Sequence, residues 1–205
     1  MLDLLLPQRC VVCGGGRRQL CGACRARLPL LEPPLCACCG APTAWPVRRC
    51  RECTGRRIAF ATARAAVVYD EAVRLLVHSW KERGLRRLAD EVAGLLPLPS
   101  GGVVTFVPPD PVRRLRRGYH PAELLARAAA ERWQLPCEPL LSRTRPSRRQ
   151  RGLSLAERRS NVRAAFAPTG RAARSCSWTT STRAARPRTP RRPRSAPPER
   201  PASTS

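Results

Sequence analysis

Cysteines at regular spacing are the strongest chemical signal in this sequence. Nine of the eleven cysteines lie in the first 53 residues, and eight of them form four pairs with two residues between the partners. A C-x-x-C turn directs two thiolates toward one point, and two such turns complete the tetrahedral sulfur site of a structural zinc ion. The pairs therefore predict two zinc sites, one of Cys10, Cys13, Cys21 and Cys24 and one of Cys36, Cys39, Cys50 and Cys53.

A disulfide framework and redox dithiols are the alternatives for these pairs. The sequence contains no run of about 18 apolar residues and no signal-peptide pattern, so we expect a cytoplasmic protein without a membrane span. In that compartment paired cysteines are more often metal ligands than disulfides. Cys38 lies inside the third pair, but the C-x-x-C-G form favours Cys36 and Cys39 as ligands. We expect Gly14, Gly22 and Gly40 to relieve strain in the turns.

Four sulfur ligands leave no open position on a zinc ion, so the predicted sites are structural and no catalytic residue is assigned to them. Each cysteine module is too small for its own core, and metal binding must supply the folding free energy. Such a module can also bind nucleic acid. The arginines suited to that lie at positions 17, 18, 48, 49, 56 and 57, with a simply solvated surface as the alternative.

The charge of the chain favours a polyanionic partner. There are 39 Lys and Arg against 14 Asp and Glu, a net charge of +25, and Lys81 is the only lysine. Four arginines, Arg113, Arg114, Arg116 and Arg117, directly follow a predicted strand. Ligands of open α/β sheets bind beyond the carboxyl ends of strands, and arginine forks suit phosphate. These four residues are candidates for phosphate binding, and a second basic loop follows at 142–152, with a solvated surface as the alternative for each cluster.

From Ile58 onward the pattern alternates between strands and helices, which indicates a partly parallel sheet with helices on its faces. Short apolar or β-branched runs predict strands at 63–70, 101–111 and 136–144. Amphipathic patterns predict helices at 71–84, 85–97, 119–133 and 153–162. Ser154 and Glu157 have capping-box spacing at the start of the last helix. We interpret His78 and His120 as structural, on a helix face and at a helix start.

The order of these pieces resembles the ComF family, known as competence or amidophosphoribosyltransferase-like proteins. The resemblance rests on the cysteine pairs and on three later stretches: "VRLLVHSWKERG", "VVTFVPPDPVRRLRRGYHPAELLA" and "SRRQRGLSLAERRSNVRAAF". It implies a double zinc ribbon followed by a type I phosphoribosyltransferase-like domain that binds phosphoribosyl pyrophosphate with Mg²⁺. It also implies a connection with the competence machinery and DNA uptake, with single-stranded DNA as a candidate partner.

The resemblance further implies a strand ending in two acidic residues and a Thr/Gly-rich turn, roughly "VVLVDDVYTSGAT". "SCSWTTSTRAARP" stands at the corresponding place. Trp178 must be encoded by TGG and a Thr179 codon begins with AC, so the shifted codon between them is GAC, for aspartate. The neighbouring codons permit the remaining family residues. The sequence therefore predicts a frameshift after Phe166, with a genuine basic arm as the alternative.

These observations predict three regions: a double zinc ribbon at 1–57, a truncated phosphoribosyltransferase-like domain at 58–170 and a disordered Arg/Pro/Ser/Thr-rich tail at 171–205. Mg²⁺ is expected only with an intact phosphoribosyl pyrophosphate site. The predicted function is that of a ComF-like protein without catalytic activity as written. The alternative is a zinc-ribbon nucleic-acid-binding protein whose transferase-like domain is a scaffold.

Overall fold

The computed structural model describes residues 8–146, 150 and 152–169. The tail predicted at 171–205 therefore lies outside the described residues. Within them the chain forms six helices and two short strands. In chain order they are α1 (Gly22–Ala26), α2 (Glu71–Glu82), α3 (Leu88–Ala93), α4 (Pro111–Arg117), α5 (Pro121–Trp133), β1 (Leu141–Arg143), α6 (Leu155–Val162) and β2 (Phe166–Pro168).

Helix α2 confirms the helix predicted at 71–84. Asp70 caps it, since the carboxylate accepts a hydrogen bond of 2.8 Å from the N–H of Val73. Val73, Leu76 and Trp80 recur at helical spacing and are buried against the main core. The helix thus presents one apolar face to the rest of the chain.

Helices α3 and α5 pack against each other and complete this core. α3 is shorter than the helix predicted at 85–97, because the chain enters it through a turn in which the N–H of Leu88 bonds to the carbonyl of Leu85. α5 starts with His120 as its N-cap residue and Pro121 in the first turn, as predicted. It ends at Gln134, which adopts a left-handed conformation.

Helix α6 carries the predicted capping box. The Ser154 hydroxyl accepts a hydrogen bond of 3.3 Å from the N–H of Glu157, and the Glu157 carboxylate accepts one of 2.7 Å from the N–H of Ser154. Two backbone N–H groups that a helix start leaves unpaired are thereby satisfied.

Two of the three predicted strands do not form regular strands, and the third is shorter than predicted. Segments 63–70 and 101–111 form no regular strand, since each is joined to a neighbour by a single bridge, Val67 to Leu30 and Val104 to Cys137, and Pro111 already belongs to α4. The third predicted strand shortens to β1, which pairs antiparallel with β2. A β-ladder extends only as far as the neighbouring strand does. The prolines that follow Val107 have no N–H group to donate to a ladder hydrogen bond.

The segment around Thr105 is paired along one edge only. Val104 donates a hydrogen bond of 2.8 Å to Pro136 and accepts one of 2.9 Å from Glu138, in the parallel sense. In an extended chain the peptide groups of the next residue point the other way. Neither the N–H nor the C=O of Thr105 has a hydrogen-bond partner among the described residues, although Thr105 is only 1% exposed.

The core is divided unequally. The larger cluster joins residues of α2, α3 and α5 to Cys10, Leu20 and Leu28 of the N-terminal region. A smaller, separate cluster contains Cys36, Cys38 and Cys53. None of the helices in the described part of the chain is both long and apolar enough to cross a membrane.

Candidate metal centres

The structure brings the eight paired cysteines together in two groups of four. Within each group the four Sγ atoms lie within 4.8 Å of one another. Cys13 and Cys21 are 3.8 Å apart, Cys39 and Cys50 3.6 Å, and Cys50 and Cys53 3.8 Å. A tetrahedron with Zn–S distances of about 2.3 Å has S···S edges of about 3.8 Å. A disulfide needs about 2.05 Å, so these distances match a zinc site.

Both groups are built by the same backbone turn, so the two modules repeat each other. Gly14 donates its N–H to the carbonyl of Cys10 at 2.8 Å, and Gly40 donates to Cys36 at 2.9 Å. Gly14 and Gly40 have φ values of 74° and 68°, which a glycine adopts without strain. Gly14 and Gly40 therefore relieve strain in the two turns, as predicted. Gly22, by contrast, starts α1 and does not relieve a tight turn, so that prediction is wrong.

Backbone N–H groups also point at the first sulfur of each group. The N–H of Cys21 lies 3.5 Å from Cys10 Sγ, and that of Cys50 lies 3.2 Å from Cys36 Sγ. Burial raises the pKa of Cys10, but hydrogen bonds from the backbone outweigh it, and the pKa falls to about 6. The same balance lowers the pKa of Cys36 to about 6. These two thiols are therefore ready to bind a metal as thiolates near neutral pH.

Neighbouring thiols and burial raise the pKa values of two other cysteines, Cys24 and Cys53. Hydrogen bonds with the thiols of Cys21 and Cys13 raise the pKa of Cys24 to about 12. Burial, followed by hydrogen bonds with Cys39 and Cys50, raises the pKa of Cys53. A bound Zn²⁺ would displace the protons on such thiols, since its charge reverses the local preference for the neutral form.

The donor sets fit structural zinc. Each group offers four soft sulfur atoms and no open coordination position, so a zinc ion there would hold the module together and activate no water. Cys38 is buried beside the second group but is outside the set of four whose sulfurs converge. This agrees with the choice of Cys36 and Cys39 over Cys38.

The first module, residues 8–31, is called here the first ribbon, and it docks on α3. Arg25 on α1 donates hydrogen bonds to the carbonyls of Glu91 at 2.9 Å and Gly94 at 3.0 Å. Its guanidinium also lies 3.3 Å from the Glu91 carboxylate, which pairs with Arg18 at 2.5 Å. A Cβ at Gly94 would stand 2.8 Å from the Arg25 guanidinium, so a larger residue there would require the end of the Arg25 side chain to shift.

The second module, residues 35–60, is called here the second ribbon, and its charged side chains are exposed. Five arginines on it are exposed, against one acidic residue, Glu52; they are Arg48, Arg49, Arg51, Arg56 and Arg57. Two aromatic side chains are exposed as well, Trp45 by 68% and Phe60 by 48%. A small cluster around Cys36 and Cys53, with Val47 and Ile58 packed on it, forms the interior.

The four candidate phosphate-binding arginines lie on α4, a helix that the sequence analysis misses. Its signal was local: Asp110 caps the helix, Pro111 occupies its first turn and Gly118 ends it in a left-handed conformation. Arg117 is paired with Glu82 at 2.5 Å. Arg113, Arg114 and Arg116 form no ion pair within the described residues. The structure thus brings the four onto one short helix but leaves only three without an acidic partner.

The loop before α4 is held by a side chain of β1. Arg143 on β1 donates hydrogen bonds to the carbonyls of Pro108 and Pro109, at 3.0 and 3.2 Å. Its guanidinium also stacks on the Phe166 ring, 4.9 Å from the centroid. Sequence reasoning does not identify Arg143, because its partners lie about 35 residues away and no local pattern points to them.

Fold and site together define a double zinc ribbon joined to a helical domain with few strands. A family model described as "Double zinc ribbon domain" matches residues 1–54. The chain is 26% identical over 176 residues to competence protein F of Haemophilus influenzae, which covers 77% of this chain and 75% of that protein. No solved structure matches the chain. The chain thus carries a double zinc ribbon at its N-terminus and is similar to competence protein F over most of its length.

Proposed function

We propose that this ComF-like protein acts in the uptake or handling of DNA, and that its transferase-like domain lacks the loop needed for phosphoribosyl transfer. The similarity to a protein named for competence supports the first part. In this proposal both metal centres are structural, the regions are divided at residues 57 and 170, and no residue of the written chain is catalytic.

The buried, unpaired edge at Thr105 is the observation that carries the second part. Buried peptide groups in native proteins almost always have hydrogen-bond partners. Thr105 is 1% exposed, yet its N–H and C=O have no partner among the described residues. A neighbouring strand would satisfy both groups. In the family that this chain resembles, the next element of the chain is the strand that precedes the phosphoribosyl pyrophosphate loop. We infer that the codons of residues 175–187, when they are read in a shifted frame, encode that strand and loop.

Sequencing the DNA that encodes Phe166 to Ser175 and the bases that follow tests this inference. We expect the shifted frame to encode two consecutive aspartates followed by a Thr/Gly-rich turn. A stop codon before that point would refute the frameshift and leave a genuine basic arm.

Ligand binding tests the loss of activity separately. Phosphoribosyl transfer needs the ribose, the pyrophosphate and Mg²⁺ held in register, and free arginines on α4 supply charge without that geometry. We expect the written chain to show no Mg²⁺-dependent thermal stabilisation by phosphoribosyl pyrophosphate. A chain with the frame restored should be stabilised by about 3–4 kcal/mol at 100 to 1,000 times the dissociation constant. Stabilisation of the written chain would refute the proposal.

The second candidate is a nucleic-acid-binding protein whose transferase-like domain is only a scaffold. The outward-facing second ribbon supports it, because Arg48, Arg49 and Arg51 are exposed and their guanidinium groups make no ion pair within the described residues. It predicts salt-sensitive binding of single-stranded DNA that is lost on Cys36→Ser. DNA binding that persists without zinc in either ribbon would exclude it.

A further inference from the structure

Trp45 is the most unusual side chain of the second ribbon. The chain's other described tryptophans, Trp80 and Trp133, are 1% and 9% exposed, whereas Trp45 exposes 68% of its surface. A tryptophan carries a large apolar area and is normally well buried. Leaving most of it in water is unfavourable, so the exposed indole suggests a partner.

The backbone on both sides of Trp45 is fixed, so the indole is exposed from a rigid base. The Thr43 hydroxyl donates a hydrogen bond of 2.8 Å to the carbonyl of Trp45, and the N–H of Thr43 donates to Pro34 at 3.0 Å. On the other side, Val47 accepts a hydrogen bond of 2.9 Å from Ala37 and packs on the cysteine cluster. Because the backbone around Trp45 is fixed, less conformational entropy is lost when the indole binds a ligand.

Phe60 repeats the arrangement with 48% of its surface exposed. Ile58 before it packs on the same cysteine cluster, and Ala63 after it donates a hydrogen bond of 2.7 Å to the carbonyl of Cys38. The second ribbon therefore carries two exposed aromatic rings anchored on one small metal-site cluster.

The charges around these rings select the partner. The same ribbon carries five exposed arginines and only one acidic residue, Glu52, so its surface attracts a polyanion. A protein partner or a membrane would use the aromatic surface but has no need of so many arginines. Bases that stack on aromatic rings while phosphates contact arginines are the established mode of single-strand recognition. A duplex keeps its bases stacked on each other and cannot use the rings.

We propose that the second ribbon binds single-stranded DNA, with Trp45 and Phe60 stacking on bases and Arg48, Arg49, Arg51, Arg56 and Arg57 contacting phosphates. This proposal rests on the nucleic-acid function proposed above and adds the two stacking residues, Trp45 and Phe60, and the phosphate contacts of Arg56 and Arg57. The first ribbon has no such surface, because it contains no aromatic residue and two of its five arginines, Arg18 and Arg25, are paired with Glu91.

The test measures binding of the zinc-loaded full chain to a labelled oligothymidine of about 20 nucleotides, by fluorescence anisotropy at several salt concentrations. We expect Trp45→Ala to weaken binding about 5- to 150-fold, and Trp45→Phe to retain most of the affinity because it keeps a stacking ring. Phe60→Ala should also weaken binding. Arg49→Gln should reduce the slope of log affinity against log salt by about 0.7, the value for one lost phosphate contact.

Leu98→Ala is the matched control, since Leu98 is 73% exposed but lies outside the ribbons. Zinc content and melting temperature should be unchanged in every variant. If the wild type binds no single-stranded DNA, both this proposal and the nucleic-acid function fail. If it binds and neither aromatic substitution weakens it, the function stands and this surface is wrong. Stronger binding to duplex DNA or to RNA, or an oligomeric state that changes with Trp45→Ala, also overturns the proposal.

Discussion

The two ribbons share one local structure and differ in what surrounds it. In both, a glycine with positive φ follows the first C-x-x-C pair, and a backbone N–H points at the first sulfur. Yet Cys10 belongs to the main core together with residues of α2, α3 and α5, whereas Cys36 belongs to a small cluster of its own. The same turn thus serves as part of a domain core in one place and as an independent module in the other.

This difference separates two tasks that one motif can perform. The first ribbon pairs two of its five arginines, Arg18 and Arg25, with Glu91 and buries Cys10, Leu20 and Leu28 in the core, so it acts as a structural part of the domain. The second ribbon exposes its arginines and aromatic rings. A module held by its own metal needs few apolar contacts with the rest of the chain, and its surface is free to bind a partner.

Breaking one metal site at a time should produce the largest contrast. Cys10→Ser removes a sulfur buried in the main core, and we expect it to abolish cooperative unfolding, since a structural zinc site supplies about 10 kcal/mol against a total stability of about 5–15 kcal/mol. Cys36→Ser should unfold only the second ribbon. Zinc content and thermal unfolding followed by circular dichroism measure both.

In this experiment each variant serves as the control for the other, because both lose one sulfur of the same type. Equal losses of stability would show that the two ribbons are energetically one unit. A greater loss for Cys36→Ser would reverse the comparison.

The ligand sets themselves were predictable from the sequence, because every ligand pair is local. C-x-x-C spacing places two sulfurs on one turn whatever the rest of the chain does. The unequal surroundings of the two sites were not predictable. The contacts of Arg25 with Glu91 and Gly94 join residues 66 and 69 positions apart, and nothing in the sequence near Arg25 distinguishes it from the exposed Arg49.

Acid should release zinc from the two ribbons in a defined order. The pKa of Cys10 and of Cys36 is lowered to about 6 from an ordinary value near 9. The favourable contribution of these thiolates is complete above about pH 9 and is lost as the pH falls through about 6. Bound Zn²⁺ favours the thiolate and lowers these pKa values further. We therefore expect zinc to stay bound at pH 7 and to dissociate only below about pH 6, from the second ribbon first, because the core holds the first ribbon in place.

A chromophoric chelator added during a stepwise titration measures the release. Zinc lost from Cys36→Ser should coincide with the later step, since only the first site remains in that variant. Release of both ions in one step would contradict the proposed difference in support.

Removing the contact between the first ribbon and α3 should have a moderate effect. Arg25→Ala deletes two hydrogen bonds to carbonyls and one ion pair, and we expect a loss of about 1–3 kcal/mol. For a chain of this size that corresponds to about 2–12 °C in melting temperature. Arg49→Ala, an exposed arginine on the second ribbon, should change stability by less than about 0.5 kcal/mol. Equal shifts for the two variants would refute the docking role of Arg25.

The helices followed from the sequence better than the strands did, for a physical reason. Helix α2 depends on its own cap and apolar face, which Asp70, Val73 and Leu76 display within one short stretch. An extended segment such as 101–111 becomes a regular strand only when a neighbour pairs with it, and here one edge of Thr105 has no partner among the described residues. Helix α4 was not predicted, although Asp110 and Gly118 mark both its ends, because four of its seven residues are arginines and none of them is buried.

Cys38 provides the smallest and most selective test of the second ribbon. Cys38 and Cys39 are neighbours in the same turn, but only the sulfur of Cys39 converges with those of Cys36, Cys50 and Cys53. Cys38→Ala removes one buried sulfur atom from the small cluster, so we expect a cost of about 1 kcal/mol and two zinc ions per chain. Cys39→Ala, the matched variant, should retain one. A chain that keeps two zinc ions after Cys39→Ala but one after Cys38→Ala would mean that Cys38 is the ligand, and the assignment of the second site would have to change.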